Sequence, residues 1–167
     1  MSEAAPKPLI KAAEIEAQPV QAFTHPLNPN SEISGVHLSR LAGLERVGLS
    51  RVRVAPGKES FCYHTHTYEE EFIYILSGKG IAEIGDDAFE VEPGDFMGFA
   101  TPSVGHHLRN PYDEDLIYLM GGESREFDVA DFPRHGKRMV RCGRQIDIYP
   151  IESRESFWRE EEVPDEK

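Results

Sequence analysis

The sequence predicts an all-β protein built as an antiparallel sandwich or barrel. Between residues 47 and 120, short β-type runs alternate with segments rich in Gly, Pro and Asp, and helical periodicity is absent. Residues 85–87 (Gly-Asp-Asp) and 93–95 (Pro-Gly-Asp) are strong turn signals, because glycine supplies a positive φ and proline presets φ. Many short strands separated by such turns are typical of antiparallel sandwiches and barrels. The predicted strands are 48–54, 61–66, 71–77, 80–84, 88–91, 96–99, 106–110 and 116–120.

The flanking segments differ from this region in composition. Residues 1–44 are expected to form an irregular N-terminal arm, because prolines recur there and no periodicity is sustained, with a short helix near 11–16. Residues 45–122 are expected to form the barrel. Residues 123–167 are expected to form a C-terminal extension, in which 137–140 and 145–149 could each add an edge strand. From about residue 152 the chain looks like a charged, frayed end, in which Trp158 could anchor the tail.

Composition excludes several classes of function. The chain has 167 residues and a formal charge of −12, from 30 acidic and 18 basic residues, and such a surface repels nucleic-acid phosphates. No run of about 18 apolar residues is present, so no membrane span is expected. The N-terminus lacks the basic and apolar regions of a signal peptide. Cys62 and Cys142 form no disulfide framework, so a cytoplasmic location is expected.

The stretch 63–71 carries the strongest sign of chemistry. His64 and His66 lie on the same face if their segment is a strand, because strand side chains alternate with period 2. On the next strand Glu71 shares a face with apolar residues, and further on His106 shares one with Leu108. If these faces line one barrel, the three histidines and the glutamate converge. Three imidazoles and one carboxylate suit Fe, Mn, Ni, Co, Zn or Cu, and leave coordination positions open for water, dioxygen or a chelating substrate.

These residues carry a resemblance to a known family. Two sets resemble the first and second motifs of the cupin superfamily: Gly57, His64, His66, Glu71 and Gly78, then Gly94, Pro102, Gly105, His106 and Asn110. The resemblance covers about residues 48–120 and is closest to the small single-domain cupins of the type-2 conserved-barrel group. It implies a double-stranded β-helix (jelly-roll) barrel, usually a homodimer, with the metal held by His64, His66, Glu71 and His106. His107 is the alternative fourth ligand; the spacing to Asn110 and the parity with Leu108 favour His106.

Other residues near these motifs have competing interpretations. Glu70 has the wrong parity for the site, and Glu69 is expected in the turn before its strand. Asn110 is expected to brace the motif loop. His107 and Arg109 are expected at a surface or interface, and His25, His37 and His135 are expected to be exposed. A pocket beside the metal could be lined by six residues, for several of which core packing is the favoured interpretation: Cys62, Ile73, Met97, Phe99, Tyr118 and Met120.

Two functional hypotheses follow from these predictions. The first is a metal-dependent enzyme acting on a small polar molecule, a carboxylate or a sugar, in the dioxygenase or isomerase class. The second is a non-catalytic module that binds a metal or a small molecule. A structural barrel with vestigial ligands is a third hypothesis, and four intact ligands argue against it. A general base would have to be metal-bound hydroxide, Glu71, Tyr63 or Tyr118.

Overall fold

The computed structural model describes residues 7–156, which form thirteen β-strands, two short α-helices and two 3-10 turns. The predicted helix near 11–16 is present, and most predicted strands are found within two residues of their expected bounds. The elements in chain order are α1 Ala12–Glu16, β1 Gln21–His25, β2 Asn28–His37, α2 Leu38–Ala42, β3 Val47–Val54, β4 Thr65–His66, β5 Glu71–Ser77, β6 Gly80–Ile84, β7 Asp87–Val91, β8 Phe96–Phe99, β9 His106–Arg109, β10 Leu116–Glu123, β11 Phe127–Phe132, β12 Lys137–Cys142 and β13 Gln145–Pro150, with 3-10 turns at Pro133–His135 and Ile151–Ser153.

Three antiparallel sheets build the barrel. The largest has the strand order β1-β2-β3-β10-β5-β8, a second has β7-β6-β9, and the third has β13-β12-β11-β4. Side chains from the first two sheets meet in one apolar core. This arrangement confirms the predicted all-β class and the double-stranded β-helix. Eleven buried residues form that core: Val52, Val54, Ile73, Ile75, Ala82, Val91, Met97, Phe99, Leu108, Leu116 and Tyr118.

Strand β5 shows how the core and the polar site share one interior. Ile73 and Ile75 are 7% and 0% exposed, whereas Tyr74 and Leu76 on the opposite face are 40% and 39% exposed. Glu71 has the same parity as the two isoleucines and begins the strand. The inward face of β5 therefore runs from a carboxylate at one end to aliphatic packing at the other.

The expectation of an irregular N-terminal arm is wrong for residues 21–37. Strand β1 pairs with β2, and Ser34–His37 of β2 pair with Arg53–Ser50 of β3, so this segment extends the main sheet. Pro29 lies in β2 outside both registers, where a missing N–H breaks no ladder bond. The sequence did not predict this edge hairpin, because the segment contains prolines and lacks alternating apolar residues. The hairpin is held largely by backbone hydrogen bonds.

The other end of the chain is also more ordered than its composition indicated. The two predicted edge strands are present as β12 and β13, and β11, which was not predicted as a strand, joins them to the short strand β4. The predicted strand 61–66 is reduced to Thr65–His66, with a single bridge from His64 to His106.

The predicted division of the chain into an arm, a barrel and an extension stays a prediction, because sheets cross its boundaries at 44/45 and 122/123. Trp158 and the acidic tail lie outside the described residues. None of the helices within residues 7–156 has the length and apolar character needed to span a bilayer.

Two turn glycines provide a matched test of chain packing. Gly57 and Gly78 both have φ +75°, but a Cβ at Gly57 would meet nothing within 4 Å, whereas one at Gly78 would lie 2.1 Å from the Asp115 carbonyl oxygen. We expect Gly57→Ala to lower the free energy of unfolding by about 1–2 kcal/mol, the cost of left-handed backbone. Gly78→Ala should cost about twice that or more, because the backbone must also move. Urea unfolding of both variants measures the difference, and equal losses would contradict the close approach.

Candidate metal centre

Four predicted ligands converge on one point inside the barrel. The Nε2 atoms of His64, His66 and His106 lie 3.5, 3.3 and 3.2 Å from the Oε2 atom of Glu71. The three imidazoles come from the segment before β4, from β4 and from β9, and the carboxylate comes from the start of β5. The histidine residues are 9%, 9% and 2% exposed. The structure thus brings together the four side chains that the sequence predicted as ligands, around the Oε2 atom of Glu71.

Each imidazole is fixed by an acceptor on its far side. The Nδ1 of His64 is 2.8 Å from the Cys62 carbonyl oxygen, and the Nδ1 of His106 is 2.9 Å from the Val104 carbonyl oxygen. A carbonyl can only accept, so in both rings Nδ1 carries the proton and Nε2 presents a lone pair. The ring of Phe99 stacks on that of His106 at a centroid distance of 3.6 Å and further restricts its orientation.

His66 has a different outer partner, which sequence analysis missed. Its Nδ1 is 2.5 Å from the Oδ2 of Asp128, a residue of β11 that is 0% exposed. The other carboxylate oxygen of Asp128 accepts a hydrogen bond from the Tyr68 backbone N–H. A signal for this residue was present, because Asp128 has the same strand parity as the buried Ala130 and Phe132. An acidic residue on an inward strand face needs a buried partner.

The electrostatics of the cluster favour a charged carboxylate. Burial acts to raise the pKa of Glu71, but the neighbouring imidazoles of His106, His64 and His66 hold that pKa well below its usual range. Burial lowers the pKa of His64. For His66 burial also acts downward, but the hydrogen bond to Asp128 and the charge of Glu71 raise its pKa above the ordinary value.

The donor set fits a divalent cation. With the tautomers that the two carbonyl acceptors impose, the Nε2 lone pairs of His64 and His106 face a carboxylate oxygen, an arrangement that a cation between them would stabilise. His64, His66 and Glu71 have ligand atoms that all lie within 4.8 Å of one another, and His106 lies outside this group although its Nε2 is 3.2 Å from Glu71. Imidazole nitrogen and carboxylate oxygen are ligands that Zn, Fe, Mn, Ni, Co and Cu accept. A metal site is therefore plausible on geometry and on chemistry.

A small cavity adjoins this cluster. Its volume is about 20 Å³, and its walls include His64, Glu71 and His106. Tyr118 is 0% exposed and lines the same cavity, and its hydroxyl has no hydrogen-bond partner among residues 7–156. Burial raises the pKa of Tyr118, so the hydroxyl keeps its proton at neutral pH.

The six residues predicted to line a pocket have three different positions. Ile73, Tyr118 and Met120 line the small cavity with the ligand cluster. Met97 and Phe99 belong to the apolar core, and Phe99 also contacts the site through its stacking on His106. Cys62 is buried beside His25, with Sγ 3.2 Å from the ring Nδ1.

Some histidines lie where the sequence did not predict them. His25 was expected to be exposed but is 6% exposed, because it packs against Phe132 and Cys62. Burial lowers the pKa of His25 to about 4. His107 was expected at a surface but is also 6% exposed, with Nε2 3.0 Å from the Glu83 carboxylate. His107 points to the side of β9 that the sequence predicted, but it is not exposed there, because charged side chains cover that side.

The carboxylates that competed with Glu71 have other positions. Glu69 is 6% exposed and pairs with Arg141 of β12. The Glu70 backbone bonds to Glu123, and the side chain lines an outer groove. Asn110 is buried and donates to the carbonyl oxygens of Val54 and Glu114, the bracing role expected from the sequence.

Glu83 makes the stability of the barrel depend on pH. Burial acts to raise its pKa, but bonds from Arg134, His107 and Arg109 lower that pKa from 4.5 to about 2. A depressed carboxyl pKa contributes stability that is present above the unfolded-state pKa and lost as pH falls through the folded-state pKa. We expect Glu83→Gln to destabilise the protein by about 2 kcal/mol at pH 7, with the difference from wild type shrinking between pH 4.5 and about 2. Urea unfolding across that range measures it, and a pH-independent difference would contradict the ion-pair account.

The fold and the buried cluster together define the class, a double-stranded β-helix barrel with three histidines and a glutamate gathered in its interior. Residues 50–122 match the family model of the cupin domain. A protein from Acidithiobacillus ferrooxidans, whose crystal structure is provisionally named a sugar phosphate isomerase, is 33% identical in sequence to this chain. The two structures align with a TM-score of 0.86 over 90% of this chain and 97% of that one. The chain belongs to the cupin superfamily.

Two further proteins are similar to this chain, but at lower identity or over a shorter length. A cupin-superfamily sugar phosphate isomerase from Silicibacter pomeroyi is 21% identical, with a TM-score of 0.78 over 87% of this chain and 94% of that one. At that identity the likeness shows the fold alone. An uncharacterised protein of Methanocaldococcus jannaschii is 32% identical over 57 residues, which are 34% of this chain and 45% of that protein. The chain therefore matches about half the length of that curated relative.

Proposed function

We propose that this protein is a metal-dependent enzyme that isomerises a small sugar phosphate. The observation that carries the proposal is the convergence of His64, His66, Glu71 and His106 on one buried point. The choice of isomerase over dioxygenase is supported by the likeness to the Acidithiobacillus ferrooxidans protein across 97% of its chain. A divalent transition metal bound there would act as a Lewis acid on a substrate oxygen.

The tyrosine and glutamate side chains near the cluster have different roles in the proposed reaction. Tyr118 holds its proton in the cavity and can donate a hydrogen bond to a substrate oxygen as charge develops there. The pKa of Glu71 lies below its usual range, so this carboxylate is better suited to holding a cation than to removing a proton. Tyr63 donates to the Gly85 carbonyl oxygen on the other side of β9 and does not take part. Isomerisation moves a hydrogen between neighbouring carbons and needs no external oxidant. A metal held by the four residues would supply the base for this transfer, because it would lower the pKa of a bound water.

Metal analysis and a proton-exchange assay test this proposal. The protein is purified without added metal, its metal content is measured, and it is incubated in D2O with ribose 5-phosphate or glucose 6-phosphate under NMR observation. We expect about one metal per chain, interconversion with incorporation of deuterium, and loss of both after chelation. Metal retention and ligand binding without turnover of any substrate would favour the alternative, a non-catalytic binding module. Absence of metal with no uptake of Fe, Mn, Ni or Zn would contradict both functions.

We also propose that the protein acts as a homodimer in the cytoplasm. The outer face of β5 and β8 exposes Tyr74, Leu76 and Phe96, and Phe96 is 65% exposed. A groove of about 480 Å³ between Phe72 and Phe96 lies on this face. Aromatic surface of this kind is enriched at the interfaces between protein chains. Analytical ultracentrifugation tests the dimer, and Phe96→Glu should shift it towards monomer.

A further inference from the structure

Two clefts lie next to the metal centre on the side of β2, β3 and α2. One has a volume of about 350 Å³ and includes Glu71 and Met120 in its walls. The other has a volume of about 340 Å³ and also includes Met120. Met120 lines the small cavity of the ligand cluster as well, so one side chain borders all three spaces. The clefts have the volume of small-molecule sites, whereas the inner cavity is too small for a sugar.

Both clefts share a polar group that no cupin motif contains. His37, Arg40 and Ser50 line each of them. The Nδ1 of His37 is 2.8 Å from the Ser50 hydroxyl, and Ser50 is 7% exposed. Burial lowers the pKa of His37, and the charge of Arg40 lowers it further, so this imidazole is neutral at pH 7. The positive charge of the group therefore belongs to Arg40.

Arg40 differs from most other arginines in having no acidic partner. Seven arginines form ion pairs within residues 7–156, namely Arg51, Arg53, Arg109, Arg125, Arg134, Arg138 and Arg141. Arg40 forms no ion pair within residues 7–156, although Glu45, Glu71 and Glu123 line the first cleft; the second cleft has no acidic residue in its walls. In a protein with a net charge of −12, a free guanidinium facing a cleft beside the ligand cluster is a local attraction for an anion.

We propose that His37, Arg40 and Ser50, which line both clefts, form the subsite that binds the phosphate group of the substrate. This inference rests on the proposed function, which places the reacting carbons of the sugar at the ligand cluster. It adds the position of the phosphate group at the other end of the substrate. The planar guanidinium of Arg40 suits bidentate contact with a phosphate. His37 and Ser50 offer further hydrogen-bonding atoms. A sugar phosphate bound in this way places its carbon chain along Met120, between the anion and the ligand cluster.

Binding of inorganic phosphate tests the subsite separately from turnover. Calorimetry is carried out at low ionic strength with metal-loaded and chelator-treated protein, because phosphate could otherwise bind the metal. We expect both forms to bind phosphate and Arg40→Met to weaken the binding at least ten-fold in both, with Arg40→Lys intermediate. Glu45→Gln should tighten binding a few-fold, because it removes a like charge from the cleft wall.

Arg144→Met is the matched control, since it removes the same charge from a residue that lines neither cleft. Thermal unfolding of each variant checks the fold. Equal phosphate affinity of Arg40→Met and Arg144→Met would overturn the proposal, and so would phosphate binding that disappears on chelation. If the isomerase assay fails while Arg40 still governs phosphate affinity, the function is wrong and the subsite stands. If turnover is found and Arg40→Met leaves KM unchanged, the subsite is wrong and the function stands.

Discussion

Replacing His106 with alanine is expected to abolish the metal binding that we propose for this protein. The variant loses a ligand whose Nε2 lies 3.2 Å from Glu71, so metal affinity should fall by more than the 10–100-fold that is typical of losing an outer partner. Any metal-dependent turnover should fall with it. Metal content by mass spectrometry, and titration against a competing chelator, measure the change.

The neighbouring histidine provides the control for this experiment. His107 is as buried as a ligand would be, but its Nε2 is bonded to Glu83 and its side chain points to the other side of β9. His107→Ala should therefore lower stability while leaving the metal stoichiometry near that of the wild type. Retention of metal by His106→Ala together with its loss from His107→Ala would reverse the assignment of the fourth ligand.

Replacing Asp128 with asparagine is expected to lower metal affinity 10–100-fold without removing a ligand. The carboxylate accepts the Nδ1–H of His66 at 2.5 Å, which fixes the tautomer and makes Nε2 a better donor. Asparagine has a similar shape but no charge, and one of its two amide positions can only donate. The bond to His66 or the one from Tyr68 must therefore be lost.

Asp131→Asn is the control on the same strand. Asp131 pairs with Arg138 and is 28% exposed, so its loss should change stability slightly and metal affinity not at all. Equal effects of the two substitutions on metal affinity would show that β11 affects metal binding only through the stability of the fold. A change confined to Asp128→Asn, with unfolding unaltered in the metal-free protein, would establish Asp128 as a positioning residue for His66.

The barrel and the meeting of the four site residues were predictable from the sequence because both depend on strand periodicity. Parity places His64 and His66 on one face of their segment and Glu71 on the inward face of β5, and closure of the barrel brings these faces together. The edge hairpin of residues 21–37 could not be found in this way, because pairing by backbone hydrogen bonds leaves little trace in side-chain pattern. The partners of buried polar groups were missed for a related reason. Asp128 is 62 residues from His66 in sequence, and only the tertiary fold brings them together.

The proposed phosphate subsite shows a second limit of sequence reasoning. Arg40 belongs to a five-residue helix and looks like an ordinary surface cation in the sequence. Arg40 lies beside a cleft without an ion-pair partner among residues 7–156, and this property can be recognised only from the tertiary structure. His37 and Arg40 therefore belong to the proposed substrate site, although the motifs lie elsewhere.

The pairing of β4 with β11 has a consequence for how the protein is made. Ala130 and Asp131 of β11 pair with His66 and Thr65 of β4, so the strand that carries a ligand is completed by a segment synthesised later. During translation the motif residues emerge from the ribosome before Asp128, and His66 meets its carboxylate only when the C-terminal strands have folded. A nascent chain truncated at residue 122 would carry all four ligands but not the acceptor that orients one of them. We therefore expect tight binding of the proposed metal only after β11 has paired with β4.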